Sequence, residues 1–249
     1  MSRNVLIWYD GGFCEPEDIH LSFQDFQKQV YGAVYETIRT YDRKPFALKK
    51  HFDRMKKSLS YLRKDISIGF RDFLRIVHEG IEKLRSEVKI QVFQIPGSGK
   101  IFFIFSPLES IEVYKRVKLG ISNVRKADPL SIPPQLKMTA RADILLARIF
   151  KKNSYDDIML GSKGQVCEGT FSNIFIVKDG KIITPSIDSG ILNGVTRENV
   201  IALAKELMIP IEERWIELKE VISADEVFLT HTSMGIVPVK CIEEKVFLK

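Results

Sequence analysis

Apolar and polar positions in the first hundred residues alternate between two periods. Residues 5–9 (VLIWY) form a short apolar run closed by Asp10-Gly11-Gly12-Phe13, which predicts a strand entering a hairpin turn. Residues 31–41 (YGAVYETIRTY) carry β-branched and aromatic side chains in partial alternation, and Asp42-Arg43-Lys44-Pro45 supplies the next turn. The period then lengthens. Phe52, Met55, Leu59 and Leu62 recur at helical spacing over residues 51–62, and Phe73, Leu74, Val77, Ile81 and Leu84 do so over 70–84. Residues 88–93 and 100–105 flank Pro96-Gly97-Ser98-Gly99 and predict a hairpin. Ser106-Pro107-Leu108-Glu109-Ser110 breaks the pattern and is the expected linker.

Beyond it, residues 117–124 read as a strand, and a loop rich in Pro and Ser leads to a helix over 140–152. Strands are expected at 157–160, 175–178 and 181–184, the last two joined by Asp179-Gly180. Residues 196–207 predict an amphipathic helix with Val200, Ile201, Leu203, Ala204 and Leu207 on one face, and 226–230 a final core strand. No internal repeat interrupts this order. The expectation is a mixed α/β fold of two units, 1–110 and 111–249, with a cleft between them.

Composition narrows the class without naming a function. A chain of 249 residues with 45% hydrophobic and 28% charged residues is globular, which excludes collagen-like, disordered and coiled-coil chains. Three widely spaced cysteines, Cys14, Cys167 and Cys241, offer neither a disulfide framework nor a metal-ligand set, which favours a reducing compartment. The net charge of +6 comes from basic residues mixed with acids along the chain, as on a solvated surface, and does not call for nucleic acid. The apolar runs at 5–9 and 101–105 have strand length, too short for a signal core or a membrane span. A cytoplasmic protein is expected.

Four short segments carry candidate chemistry. Gly97-Ser98-Gly99-Lys100 resembles the end of a phosphate loop, but position 94 is Gln and position 101 is Ile, so a hairpin turn explains it. Gly194 precedes a helix start with Thr196 in the first turn, where free N–H groups and the helix dipole favour an anion; taken alone, a simple turn into the helix explains it better. Glu168-Gly169-Thr170-Phe171-Ser172-Asn173 sets a carboxylate among small polar residues between two β segments, as a cleft acid or as a polar loop. Lys137 stands before a predicted helix, and Thr230-His231-Thr232-Ser233 ends a strand with hydroxyls.

The order of these segments is more telling than any one of them. Lys137, EGTFSN at 168–173, ILNGVTR at 191–197 and LTHTSMGIVPV at 229–239 together resemble the class IV aminotransferases. GAVYETIRTYDRKPFALKKHFDRMKKS at 32–58 is similar to that family's G-V-F/Y-E-T-I-R … H-x-x-R-L-x-x-S segment, and the likeness covers most of residues 1–242. It implies a two-domain α/β fold binding pyridoxal 5′-phosphate (PLP) at the domain interface. Lys137, placed in the C-terminal domain, matches the Schiff-base lysine that also moves the substrate Cα proton, a task requiring access to the neutral amine. Glu168 matches the carboxylate that pairs with the pyridine nitrogen and keeps the ring an electron sink. Arg54 matches the phosphate-binding arginine, whose planar fork suits that anion. The N–H groups of Val195 and Thr196 with the Thr196 hydroxyl match the helix-terminus phosphate cup, Thr232 a second hydroxyl contact, and Tyr35 a side chain lining the substrate pocket. Arg141, one turn beyond Lys137 by spacing, would face the same cleft and attract a carboxylate, or form a surface salt bridge.

The chain departs from the pattern in places. Residues 22–32 read SFQDFQKQVYG where the family has an Asp-x-Gly-Phe-like stretch, and Gln91 and Gln94 stand where D-amino acid aminotransferases carry a carboxylate-binding arginine. No tyrosine follows within residues 138–142, and the chain ends at Lys249, ahead of a further helix common in the family. The resemblance thus implies a PLP-dependent homodimeric aminotransferase that passes an amino group from an amino acid to a 2-keto acid by a ping-pong route. A lyase releasing pyruvate from aminodeoxychorismate and a non-catalytic binding protein on the same fold are the alternatives.

Overall fold

The computed structural model describes residues 5–20, 32–108 and 116–247. The anomalous stretch at 22–31 and the linker residues Glu109 and Ser110 lie outside the described residues. Two compact units emerge: Met1–Ser110 with Leu136–Ala140, and Ile111–Gln135 with Arg141–Lys249. The segment carrying Lys137 thus packs with the first unit and not, as expected, with the second. It is captured by backbone pairing, with a bridge between Val34 and Met138 and a Tyr35 N–H bond to the Lys137 carbonyl (3.1 Å).

The first unit contains β1 (Leu6–Tyr9), β2 (Gly12–Cys14), β3 (Val34–Tyr41), β4 (Lys44–Pro45), α1 (Leu48–Tyr61), α2 (Phe70–Leu84), β5 (Val88–Gln94) and β6 (Ile101–Pro107). Its strands make one antiparallel sheet in the order β2-β1-β6-β5-β3-β4. The β1–β2 turn has positive φ at Asp10 (52°) and Gly11 (90°), the paired left-handed geometry that matches strand twist in tight hairpins. Along β5 and β6 every second side chain is buried, so Val88, Ile90, Val92, Ile101, Phe103 and Phe105 share one face. Phe52, Met55 and Leu59 of α1 and Phe73, Ile76, Val77 and Ile81 of α2 join them in one core. Each such side chain contributes about 1.5–3 kcal/mol when fully buried. Phe73 and Phe103 meet edge to face with centroids 5.1 Å apart. Gly80 stands within α2 where a Cβ would enter the Phe105 ring.

The second unit contains β7 (Val117–Ile121), α3 (Ala142–Phe150), β8 (Asp156–Leu160), β9 (Val166–Gly169), β10 (Asn173–Lys178), β11 (Lys181–Pro185), α4 (Val195–Glu206), β12 (Ile211–Arg214), α5 (Leu218–Ile222), β13 (Glu226–His231), β14 (Gly235–Ile242) and β15 (Lys245–Val246). The sheet runs β12-β11-β10-β13-β14-β7-β8-β9, with β15 paired to β14. Pro238 lies inside β14, a position sequence patterning leaves unassigned. Residues 235–238 pair antiparallel with β13 and the following residues parallel with β7, so the residue without an N–H stands at the change of partner. The predicted strand at 117–124 stops at Ile121, and the predicted helix at 140–152 starts only at Ala142. Helix α4 covers Phe175 and Phe228, whose rings stack at 4.8 Å, with Val200 and Ile201. Among the described residues no helix is long and apolar enough to cross a membrane.

Candidate active site

In the first unit Lys137 is pinned on both sides of its backbone. Its N–H donates to Ser58 Oγ (3.1 Å) and its carbonyl accepts from Tyr35 N–H (3.1 Å). Thr139 repeats the pattern two residues on, its N–H donating to the Ala33 carbonyl and its Oγ1 accepting from Ala33 N–H (2.9 Å). Gly32 is required here, with φ of 91° and Ala140 Cβ only 2.6 Å from where a Cβ would stand. The Lys137 ammonium lies 4.3 Å from the centroid of the Tyr35 ring, itself stacked on Phe93 at 5.9 Å. Gln94 is not a substitute for an arginine here: its Oε1 accepts from Ser67 N–H (2.9 Å) and its Nε2 donates to the Asp65 carbonyl (2.8 Å).

Arg54 belongs to a buried network that its motif did not reveal. Its Nε and Nη2 donate to the two oxygens of Glu36, each at 2.7 Å, and His51 Nδ1–H donates to Glu36 Oε2 at 2.8 Å. Glu36 is 0% exposed. Burial pushes its carboxyl up, but the Arg54 charge and the hydrogen bonds from Arg54 and His51 override burial and bring it down to about 2. Burial, with the charges of Arg54 and Lys137, lowers His51 against the pull of Glu36, so the ring is neutral and Nδ1 carries the hydrogen. His51 Nε2 has no hydrogen-bond partner among the described residues. One signal was available in the sequence. Glu36 shares the inward face of β3 with Val34 and Ile38, and His51 lies one turn before Met55 on the apolar face of α1.

In the second unit Glu168 lies on β9 itself, where the sequence pattern placed it between two β segments. Its Oε2 accepts from Asn173 Nδ2 (2.9 Å) and from Leu192 N–H (3.1 Å), and its Oε1 forms an ion pair with Lys126 Nζ. Lys126 escaped sequence reasoning, being one of 38 basic residues with its partner 42 positions away. The turn between Glu168 and Asn173 is built around Asp156. That buried carboxylate accepts from Thr170 N–H (2.9 Å), Thr170 Oγ1 (2.7 Å), Ser172 Oγ (2.7 Å) and Asp157 N–H (2.9 Å). Burial pushes its carboxyl above the ordinary range despite these donors. Gly169 admits it, since a Cβ there would collide with the Asp156 carboxylate.

Val195 and Thr196 open α4, and Gly194 before them makes no side-chain cap bond, so their N–H groups lie in the first turn, where the helix itself supplies no acceptor. The entry loop is fixed from within. Arg197 is buried and donates to Asn193 Oδ1 (3.1 Å), the Pro185 carbonyl (2.9 Å) and Glu213 Oε2 (2.7 Å), and Gln135 bridges Ile191 and Asn193. Thr232 sits in the turn between β13 and β14, next to His231, whose ring is lowered to about 4 by burial and accepts or donates a bond with Tyr155 Oη at 2.7 Å. No helix carries Arg141 one turn beyond Lys137. Lys137 is not helical, and Arg141 is the residue before α3, its Nε and Nη2 bound to Asp143 at 2.9 and 2.6 Å. Asp143 in turn accepts from Ala127 N–H (2.8 Å), which anchors the residue next to Lys126.

The residues fall into two sets, Tyr35, Arg54 and Lys137 in one unit and Glu168, Val195, Thr196 and Thr232 in the other. A family model described as "Amino-transferase class IV" matches residues 33–242. A Thermotoga maritima protein named "Probable branched-chain-amino-acid aminotransferase" is 50% identical over 245 residues, covering 98% of this chain and 90% of that one. A crystal structure from the same organism has a TM-score of 0.96 at 51% identity, covering 98% and 89% of the two chains. A branched-chain aminotransferase from Thermoproteus uzoniensis, solved with norvaline, has a TM-score of 0.87 at 25% identity, covering 98% and 89%. The chain therefore belongs to the class IV aminotransferases, transaminases that work with pyridoxal 5′-phosphate.

Proposed function

We propose that the chain is a branched-chain amino acid aminotransferase in which Lys137 holds the cofactor covalently. The likeness that carries the substrate class is the 50% identity, over nearly the whole chain, to the T. maritima relative of that name. The donor set fits the cofactor. A buried carboxylate at Glu168 suits a protonated ring nitrogen, the helix terminus at Val195 and Thr196 suits a phosphate, and Thr230 Oγ1 is a buried hydroxyl with no partner among the described residues, opposite Asn173 in the sheet.

When bound, PLP supplies an electron sink for the charge left at the substrate Cα. Lys137 Nζ would remove the Cα proton of the amino acid in one half-reaction and deliver a proton to the carbonyl carbon of the incoming keto acid in the other; its doubly anchored backbone and the Tyr35 ring aim it. Glu168 would accept the hydrogen of the ring nitrogen. Phosphate would be held by the Arg54 guanidinium, fixed by the Glu36 fork, from the first unit, and by the N–H groups of Val195 and Thr196 and the hydroxyls of Thr196 and Thr232 from the second. Arg141 serves structure, not substrate. The aromatic pair Tyr35 and Phe93 offers an apolar surface suited to a branched aliphatic side chain.

A donor screen with a 2-keto acid acceptor tests this. Leucine, isoleucine and valine are expected to exceed D-alanine at least tenfold in kcat/KM, since a methylene or two in an apolar pocket is worth about 1–3 kcal/mol. D-alanine preference, or pyruvate release from aminodeoxychorismate without an acceptor, would overturn it.

We infer further that the protein is a homodimer joined through α3. Leu145, Leu146, Ile149 and Phe150 are between 42% and 62% exposed on this one nine-residue helix, an apolar surface that needs a cover. Sedimentation of the wild type should give twice the chain mass and Ile149→Asp the single mass; a monomeric wild type refutes the inference. The three free thiols support a cytoplasmic location, and fractionation into an oxidising compartment would refute it.

A further inference from the structure

We propose that Lys126 is a positioning residue that weakens the grip of Glu168 on the cofactor ring nitrogen by holding its ion-paired amino group against the other carboxylate oxygen. The inference rests on the proposed pairing of Glu168 with that nitrogen.

Lys126 and Glu168 form an ion pair with 2% and 9% of their side chains exposed. In such a site a unit charge in contact acts far more strongly than in water. The lysine is directed there by its backbone. Its own N–H donates to the Leu160 carbonyl (2.9 Å), and the next N–H is held by Asp143, itself clamped by Arg141. Glu168 Oε2 is already shared between Asn173 Nδ2 and Leu192 N–H. The carboxylate therefore meets any ring N–H with part of its charge compensated. A carboxylate without that compensation is a stronger base and holds a proton-bearing nitrogen more tightly. Lys126 thereby sets how firmly the ring nitrogen keeps its proton. Lys137, anchored separately in the other unit, remains the covalent lysine.

The probe is a pair of cofactors, PLP and its analogue with the ring nitrogen replaced by C–H. The quantity read is the analogue Kd divided by the PLP Kd, measured for the wild type, Lys126→Met, Lys126→Arg and Glu168→Ala. A purely structural contribution of Lys126 changes both constants alike and leaves the ratio unmoved. The ratio is expected to rise about tenfold or more in Lys126→Met and to stay within about twofold of wild type in Lys126→Arg, which restores the charge. Should Lys126→Met fail to fold, Lys126→Gln keeps a hydrogen bond without the charge and is read on the same ratio. An unchanged or reduced ratio in the uncharged variants overturns the role of Lys126. A wild-type ratio near one that Glu168→Ala does not alter overturns the pairing of Glu168 with the nitrogen, and the proposal with it.

Discussion

Lys137→Ala, purified and incubated with PLP, is expected to keep no visible absorption band through desalting, and its kcat/KM should fall by about 10⁴-fold, the upper range for loss of a positioned proton-transfer group. Two losses coincide, because the same nitrogen anchors the cofactor and carries the substrate proton. The variant should fold. Lys137 contributes its backbone bonds to Ser58 and Tyr35, which alanine preserves, and its side chain is half-buried over the Tyr35 ring and not inside the core. The circular dichroism and unfolding midpoint should therefore match the wild type. Lys126→Met serves as the control, since it removes the buried lysine paired with Glu168 and should retain the covalent band. A band that survives desalting in Lys137→Ala, with loss in Lys126→Met, would assign the covalent lysine to the wrong residue here.

The sequence disclosed what local pattern can encode. Strand β3, helices α1 and α2 and the β5–β6 hairpin were legible because each puts its apolar residues at a single period over seven or more positions. Strand β9 was not, because four residues (VCEG) are buried without alternation, and its register is set by β8 across a bulge. Strand β14 was hidden by Pro238, whose tolerance depends on a change of partner that only the sheet reveals. Lys137 was singled out by motif, but the segment that carries it packs with the first unit. The backbone bonds that decide it reach from residue 137 to residues 35 and 58, contacts of long sequence separation that periodicity does not see.

The site divides along the same line. Glu168 and the α4 terminus are contiguous in motif and were legible. The residues that hold them, Asn173, Lys126, Asp156 and Arg197, act through partners up to 42 positions away. Arg141 shows the converse error, a spacing argument that presumed a helix through Lys137 and failed where none forms.

Glu36→Gln should destabilise the protein by roughly 3 kcal/mol at neutral pH, and the size of that loss should depend on pH. Glu36 is held at about 2 in the folded state against a reference of 4.5. The unfolded chain therefore binds a proton at Glu36 over a range in which the native state refuses it. The stability this carboxylate contributes is complete above about pH 4.5 and disappears as pH falls toward 2. Glutamine retains the shape but accepts from Arg54 with one oxygen instead of two and leaves the guanidinium without its counter-charge, in a site where the side chain of Arg54 is 11% exposed. The His51 Nδ1–H also loses an ionised acceptor. Denaturant unfolding at pH 7, 4.5 and 3 should show the gap between wild type and variant shrink at pH 3, because the wild type has by then lost part of the same contribution. A gap constant across the three pH values would mean that the Glu36 charge does not stabilise the fold, and that any loss on substitution comes from packing alone.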